Sequence, residues 1–206
     1  GRDLISAMTE LQISAARHAN PLTGLPGNVP IQEAISQLLS EQVNFTIVYV
    51  DLDHFKPYND VYGYARGDEL LTMCGLLLQG GIDAQLDFIG HVGGDDFILL
   101  LRSDDWQSRC EKILVDFEQA VGEFFSPAHR AAQGYSALNR KGDVQHHPLV
   151  SMSLGAANII SSRYQNHHEV ANAATSAKHM AKRQSGNTLF IDRREHNKLW
   201  QPAYVA

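Results

Sequence analysis

Cysteine is scarce in this sequence: Cys74 and Cys110 are the only two among 206 residues. Both fall on the apolar faces of expected helices, so they read as buried, reduced thiols of a cytosolic protein and not as a disulfide. No apolar run approaches the ~18 residues that a membrane-spanning helix needs, so this segment is expected to make no membrane contact. Nor does a basic, apolar, small-residue pattern head the chain, as a signal peptide would; a cytoplasmic location is expected. Positive charge is not in excess either. A formal net charge of −6 argues against nucleic-acid binding through a broad basic surface. There is no Gly-x-x-x-x-Gly-Lys-Ser/Thr loop, which excludes a P-loop NTPase. Nothing marks a Ser/His/Asp triad, and the pairs His146-His147 and His167-His168 lack zinc-ligand spacing and read as surface histidines.

What is present is an ordinary globular composition, 44% hydrophobic and 19% charged, at a length that favours one domain with a full core. The leading Gly1 suggests a domain taken from a longer chain. If a polyphosphate is bound, metal ions must offset the combined charge of ligand and carboxylates.

Leu4, Ile5, Met8, Leu11 and Ala15 recur at helical spacing, so residues 1–18 read as a lead-in helix, 19–195 as the domain and 196–206 as a tail. Asn20 to Asn28, dense in Pro, Gly and Asn, reads as a loop. Pro30 suits the first turn of a helix bearing Ile31, Ala34, Ile35, Leu38 and Leu39. Phe45 to Leu52 reads as a strand buried on both faces, and Arg66 to Gln79 as a helix. Gln85–Val92 and Phe97–Leu101 then flank Gly93-Gly94-Asp95-Asp96 as a hairpin whose glycines permit positive φ. A helix follows from Trp106 to Phe124. Residues 126–147 are turn-rich, with a hairpin tip expected at Asn139–Asp143. A strand at 149–156, a helix at 168–182 and a strand at 188–191 complete the pattern. Strands alternating with helices around one hairpin predict an α/β sandwich on a mixed sheet.

Two segments carry the chemistry. Asp51-Leu52-Asp53-His54-Phe55-Lys56 follows the buried strand directly, and a carboxylate at a strand end is held rigidly enough for a hard cation. Asp95-Asp96 occupies the glycine turn. If the hairpin lies beside the first strand, Asp51 and Asp95 converge on one metal pair, which can activate a hydroxyl and neutralise departing pyrophosphate. An EF-hand beginning at Asp51 fails, because Lys56 stands where Gly is required and Tyr62 where Glu is required. Taken singly, each segment is more often structural: Asp is common at strand ends and Gly-Gly-Asp in turns.

Seven segments in order resemble the GGDEF domains, the diguanylate cyclases that condense two GTP into cyclic di-GMP. They are Asn20 to Pro26, Asp51 to Lys56, Asn59 to Gly63, Gly67-Asp68, Gly93 to Phe97, Ser151 to Gly155, and Ala181-Lys182. The resemblance implies a ferredoxin-like core of the nucleotidyl cyclase and polymerase-palm type, a central mixed sheet flanked by helices. It implies that Asp51, Asp95 and the Leu52 carbonyl hold magnesium or manganese, two ions per site, with Asp95 and Asp96 as catalytic carboxylates. It further implies that His54, Phe55, Lys56 and Lys182 bind phosphates and that Asn59 and Asp68 read the guanine edge. Lys178 lies one turn before Lys182 on the same face. An Asp accepts from both guanine donors, which adenine cannot match. Partners follow from the same likeness: GTP, cyclic di-GMP, and a second copy in a transient homodimer.

The departures are specific. Asp96 stands where the family carries Glu. The family's phosphate-clamping Arg is missing from Lys182-Arg183-Gln184-Ser185-Gly186-Asn187, and Gly27-Asn28 replaces the usual Asn-Arg. The inhibitory Arg-x-x-Asp reads Ala84-Gln85-Leu86-Asp87, so only Asp87 of that pair remains. Gly90-His91-Val92 and the long 126–147 insert resemble GGDEF domains that close chains also carrying EAL and CBS domains. Two functions stay open: a cyclase, or a degenerate domain that binds GTP or cyclic di-GMP and regulates a neighbour.

Overall fold

The computed structural model describes residues 18–138 and 142–193; the expected lead-in helix over 3–17, the tail, and most of the 139–143 hairpin tip lie outside them. A five-stranded sheet has the order β2-β3-β1-β6-β7. Its centre is β1 (Phe45–Asp53), flanked antiparallel by β3 (Asp96–Leu101) and β6 (Ser151–Ile159). The edges are β2 (Phe88–Gly93), antiparallel to β3, and β7 (Thr188–Asp192), parallel to β6. This is the central mixed sheet flanked by helices that the pattern predicts.

Period-two alternation sorts the side chains of β1. Val48, Val50 and Leu52 join Phe97, Leu99 and Met152 in a core beneath α3 (Tyr64–Gly81) and α4 (Trp106–Val121). Phe45 and Ile47 join Ile98, Leu100 and Ile159 beneath α1 (Asn28–Ser40) and α6 (His167–Ala181). The same alternation turns Tyr49, Asp51 and Asp53 toward α6, so the polar end of the strand inherits its direction from the apolar end.

Cys74 and Cys110 are free and buried, as expected. Burial pushes both thiols up, Cys110 to about 12. No helix among the described residues is long and apolar enough to cross a membrane.

Several boundaries differ from the sequence pattern. Residues 55–62 form a helix, α2 (Phe55–Tyr62), that the pattern does not announce because Pro57 interrupts it. Pro57 occupies the third helical position, where no intrahelical N–H bond is needed; the first such bond runs from the Tyr58 N–H to the His54 carbonyl at 3.1 Å. The strand expected from Gln85 starts at Phe88, because Asp83 closes a turn by accepting from the N–H groups of Gln85 (2.9 Å) and Leu86 (3.1 Å). α4 ends at Val121, and Phe124 belongs to a 3₁₀ turn at Gly122–Phe124. The insert holds a short helix, α5 (Pro127–Ala131), and a separate two-stranded sheet, β4 (Gly134–Leu138) with β5 (Val144–Pro148). It docks on α2: the Tyr62 hydroxyl accepts from the Ser126 N–H at 3.0 Å and lies 2.6 Å from His129 Nδ1, with Phe125 and Tyr135 edge-on to its ring.

Candidate active site

The turn between β2 and β3 pairs Gly93 with Asp96, leaving Gly94 and Asp95 at the tip. Gly93 has φ +147° and Gly94 φ +54°, conformations that suit glycine. The tip therefore projects Asp95 beyond the sheet, while Asp96 begins β3 beside the end of β1. By extension of the register Val50↔Phe97, Asp96 faces Asp51 across the strands. Like charges in that position repel.

Two lysines offset the repulsion. Helix α6 packs closely on β6 through Ala173, Ala174, Ala177 and Ala181, all buried, and Gly155 lies directly beneath it. That proximity lets Lys178 and Lys182, one turn apart, reach over β6 to the carboxylates of β1. Lys178 Nζ bridges Asp51 Oδ2 and Asp96 Oδ1, each at 3.2 Å, and sits 4.1 Å from the Tyr49 ring centroid. Lys182 pairs with Asp51 Oδ1 and lies 3.6 Å from Asp53 Oδ1. Asp53 Oδ2 accepts from the hydroxyls of Ser153 (2.6 Å) and Ser151 (3.2 Å).

Four carboxylates thus gather around two ammonium groups, leaving an excess of negative charge. Its signature is Asp95, pushed up to about 6 by burial and then by the Asp51 charge. Asp96 is also raised, by burial first, with Lys178 pulling the other way. Burial disfavours the charge on Lys178, yet Asp96, Tyr49 and Asp51 together outweigh it and raise its pKa.

The other expected residues divide into two places. His54 caps α2 in a left-handed conformation (φ +62°), and Phe55 and Lys56 form the first turn, whose N–H groups have no intrahelical partner. That helix start follows Asp53 directly and borders the carboxylates. Asn59 lies farther along α2 against Gly67, where a Cβ would overlap Asn59 Oδ1. This Oδ1 is buried and has no hydrogen-bond partner. Asp68 lies on the exposed surface of α3, lining an open groove of about 450 Å³ with Leu22, Thr72 and Met73.

Asp87 is elsewhere and fully engaged. Its carboxylate accepts from the N–H groups of Asp83, Arg102 and Ser103 and from the Ser103 hydroxyl, at 2.8–3.0 Å. Asp87→Ala is expected to lower stability by about 2 kcal/mol, because four donors, two of them on buried Ser103, lose their acceptor. Urea unfolding measures this, and an unchanged midpoint would refute the clamp. Arg183 is exposed, its guanidinium directed at Met180 Sδ at 3.9 Å and not at the carboxylates.

Sequence reasoning assigned no role to Tyr49, Asp53, Ser151 or Ser153. Strand alternation places the first two beside Asp51; the serines needed the β1–β6 register, which pairs Asp51 with Ser153 and Asp53 with Ser151.

The residues present suit a hard divalent cation that shares its coordination with a ligand. Among the described residues no three His, Cys, Asp or Glu side chains form a ready metal cage. Asp51, Asp95 and the Leu52 carbonyl are the oxygen groups that could hold such an ion, with a ligand's oxygens and water completing its shell.

Comparison with known proteins shows what the chain as a whole is similar to. A bifunctional diguanylate cyclase/cyclic di-GMP phosphodiesterase, MucR of Pseudomonas aeruginosa, is 30% identical over 182 residues, 85% of this chain and 23% of MucR. The cyclic di-GMP phosphodiesterase PdeR of Escherichia coli is 35% identical over 107 residues, 51% of this chain and 16% of PdeR. The chain therefore spans under a quarter of these relatives. Among solved structures, diguanylate cyclase SiaD of Pseudomonas aeruginosa, in complex with its activator SiaC, superposes with TM-score 0.68 at 22% identity, covering 92% of this chain and 67% of that one. The coiled coil and GGDEF domain of DgcB from Caulobacter crescentus, in complex with c-di-GMP, gives 0.66 at 18% identity, covering 92% and 96%. The family described as diguanylate cyclase, GGDEF domain, matches residues 17–188. With that much of its length matched, this chain belongs to the GGDEF family.

Proposed function

We propose that the domain condenses two GTP into cyclic di-GMP and pyrophosphate, with two magnesium or manganese ions per site. The observation that supports this reading most is the convergence of Asp51, Asp95 and Asp96 with Lys178 and Lys182 at one end of the sheet. The cations would be held by Asp51, Asp95 and the Leu52 carbonyl, and would neutralise phosphate charge and lower the pKa of the attacking 3′-hydroxyl. The free N–H groups of His54, Phe55 and Lys56 are suited to phosphate oxygens. Lys182, the more exposed of the two lysines, can exchange a carboxylate for a terminal phosphate. Asn59, with an orphaned Oδ1, and Asp68 are the acceptors proposed for guanine N–H groups. Asp96, half-buried and raised in pKa, would take the proton of the 3′-hydroxyl in this reading.

Each domain holds one GTP, so the reaction requires two copies face to face. As a module of a longer cytoplasmic chain, with EAL and CBS neighbours the proposed context, the domain would dimerise as its neighbours dictate. A second reading, a nucleotide-binding regulator without turnover, draws on Asp96 being a methylene shorter than Glu and on the missing arginine. Incubation with GTP and Mg²⁺ or Mn²⁺ at high protein concentration decides between them. Cyclic di-GMP and pyrophosphate are the expected products; binding by calorimetry without product favours the second reading, and no binding refutes both.

The Asp95 shift gives a pH prediction. A carboxylate raised in the folded state contributes stability below its unfolded value of 3.8, and that contribution is lost as pH rises through about 6. A metal must displace this proton, so Mn²⁺ affinity is expected to be level above about pH 7 and to fall about tenfold per unit below 6. Titration calorimetry at a series of pH values measures the slope. A flat profile down to pH 5 would exclude Asp95 as a ligand.

A further inference from the structure

The signature turn is sterically unsupported at its tip. A Cβ built on Gly93 or Gly94 would meet nothing within 4 Å, and both residues have positive φ. Two glycines in open space leave the peptide units on either side of Gly94 with little to restrain their rotation. Something must nevertheless aim Asp95, which departs from the second of those units.

His91 is placed to do so. It is 1% exposed, and its Nε2 lies 2.9 Å from the Gly94 carbonyl oxygen. Its Nδ1 lies 2.9 Å from Thr23 Oγ1, in the loop that precedes α1. Its ring stacks on Phe97 with centroids 4.1 Å apart at 14°, which sets the ring plane. The backbone of this strand is tied to the same loop: the His91 N–H donates to the Pro26 carbonyl at 2.8 Å, and a Cβ on neighbouring Gly90 would overlap Ile31. A carbonyl only accepts, so Nε2 carries the proton, and in the neutral ring Nδ1 accepts from the Thr23 hydroxyl. Both partners select one tautomer, and each contact constrains the other.

The Gly94 carbonyl and the Asp95 N–H belong to one planar peptide. Holding that oxygen therefore fixes the rotation of the unit from which the Asp95 side chain departs. We propose that His91, oriented by Thr23, is the positioning residue that aims the Asp95 carboxylate, linking the loop before α1 to the signature turn. The consequence for turnover rests on the proposed cyclase reading; the aiming of the turn does not.

The test uses the whole domain and three variants. His91→Phe keeps the stack and removes both hydrogen bonds; Thr23→Val keeps the shape and removes the hydroxyl; His91→Gln restores a donor toward Gly94. Amide hydrogen exchange at residues 94–96 is expected to rise about tenfold in His91→Phe, the scale of one lost hydrogen bond, and less in Thr23→Val, with β1 amides unchanged. With turnover present, kcat is expected to fall roughly 10- to 100-fold in His91→Phe, as for a misplaced catalytic group, while KM for GTP changes less than twofold. His91→Gln recovers part of the loss, and adding Thr23→Val to His91→Phe costs nothing more. In wild type, ¹⁵N spectra are expected to show Nε2 protonated and Nδ1 bare; the opposite tautomer would overturn the positioning role. Local exchange in both disrupting variants without turnover in wild type would support the positioning role and refute the cyclase. Unchanged exchange at 94–96, or a rise spread equally over β1, would overturn the positioning role; Thr23→Val alone decides this if His91→Phe fails to fold.

Discussion

Asp96→Glu is expected to raise GTP turnover by about 10²-fold, the effect of moving a reacting group by ~1 Å into register. Asp96 starts β3, so its Cα is held by the ladder and only side-chain length sets its reach. In the present structure its carboxylate meets Lys178 at 3.2 Å, on the side facing Asp51. One more methylene extends the carboxylate toward the mouth of the site while leaving its charge and its lysine within contact. Steady-state turnover of the two proteins side by side measures the gain. Equal rates would show that the reach of Asp96 does not limit the chemistry, and Asp96→Asn, expected to lose activity, tests whether a carboxylate is required at all.

Gly155→Ala is expected to destabilise the domain by about 3 kcal/mol, the upper end of ordinary overpacking. The added methyl would overlap the backbone of Ala177 and Lys178, and backbone, unlike a flexible side chain, cannot step aside. Gly155 pairs with Tyr49 on one side and Phe190 on the other, so β6 cannot retreat without breaking two ladders. The helix must move instead, carrying Lys178 and Lys182 away from Asp51. Chemical denaturation should show the lost stability, and GTP affinity should fall together with it. A stable variant with unchanged affinity would show that α6 has slack the contacts do not reveal.

The large elements were legible because their apolar periods are long and clean: the buried run of β1, the amphipathic α3 and α4, and the glycine turn between β2 and β3. What escaped has physical causes. α2 is two turns long with Pro57 in its first turn, so neither length nor composition announces it. Lys178 was visible only as a residue one turn from Lys182; its bridge to Asp51 and Asp96 depends on how closely α6 lies on β6, a distance no local pattern encodes. Asp53 acquires its serine partners through cross-strand register. Asp87 illustrates the opposite problem. Its motif position drew attention to ligand binding, while its oxygens accept from the backbone that turns β3 toward α4.

The ion pair between Asp51 and Lys182 joins positions 131 residues apart, across a chain whose central strand is paired on both sides by later segments. During synthesis the carboxylates therefore emerge first and their counter-charges last. Until α6 docks, Asp51 and Asp96 repel each other with nothing between them, and the sheet around β1 closes against that repulsion. Folding of such a long-range topology is slow by nature, and a chain lacking α6 would leave these carboxylates without the two lysines that offset them.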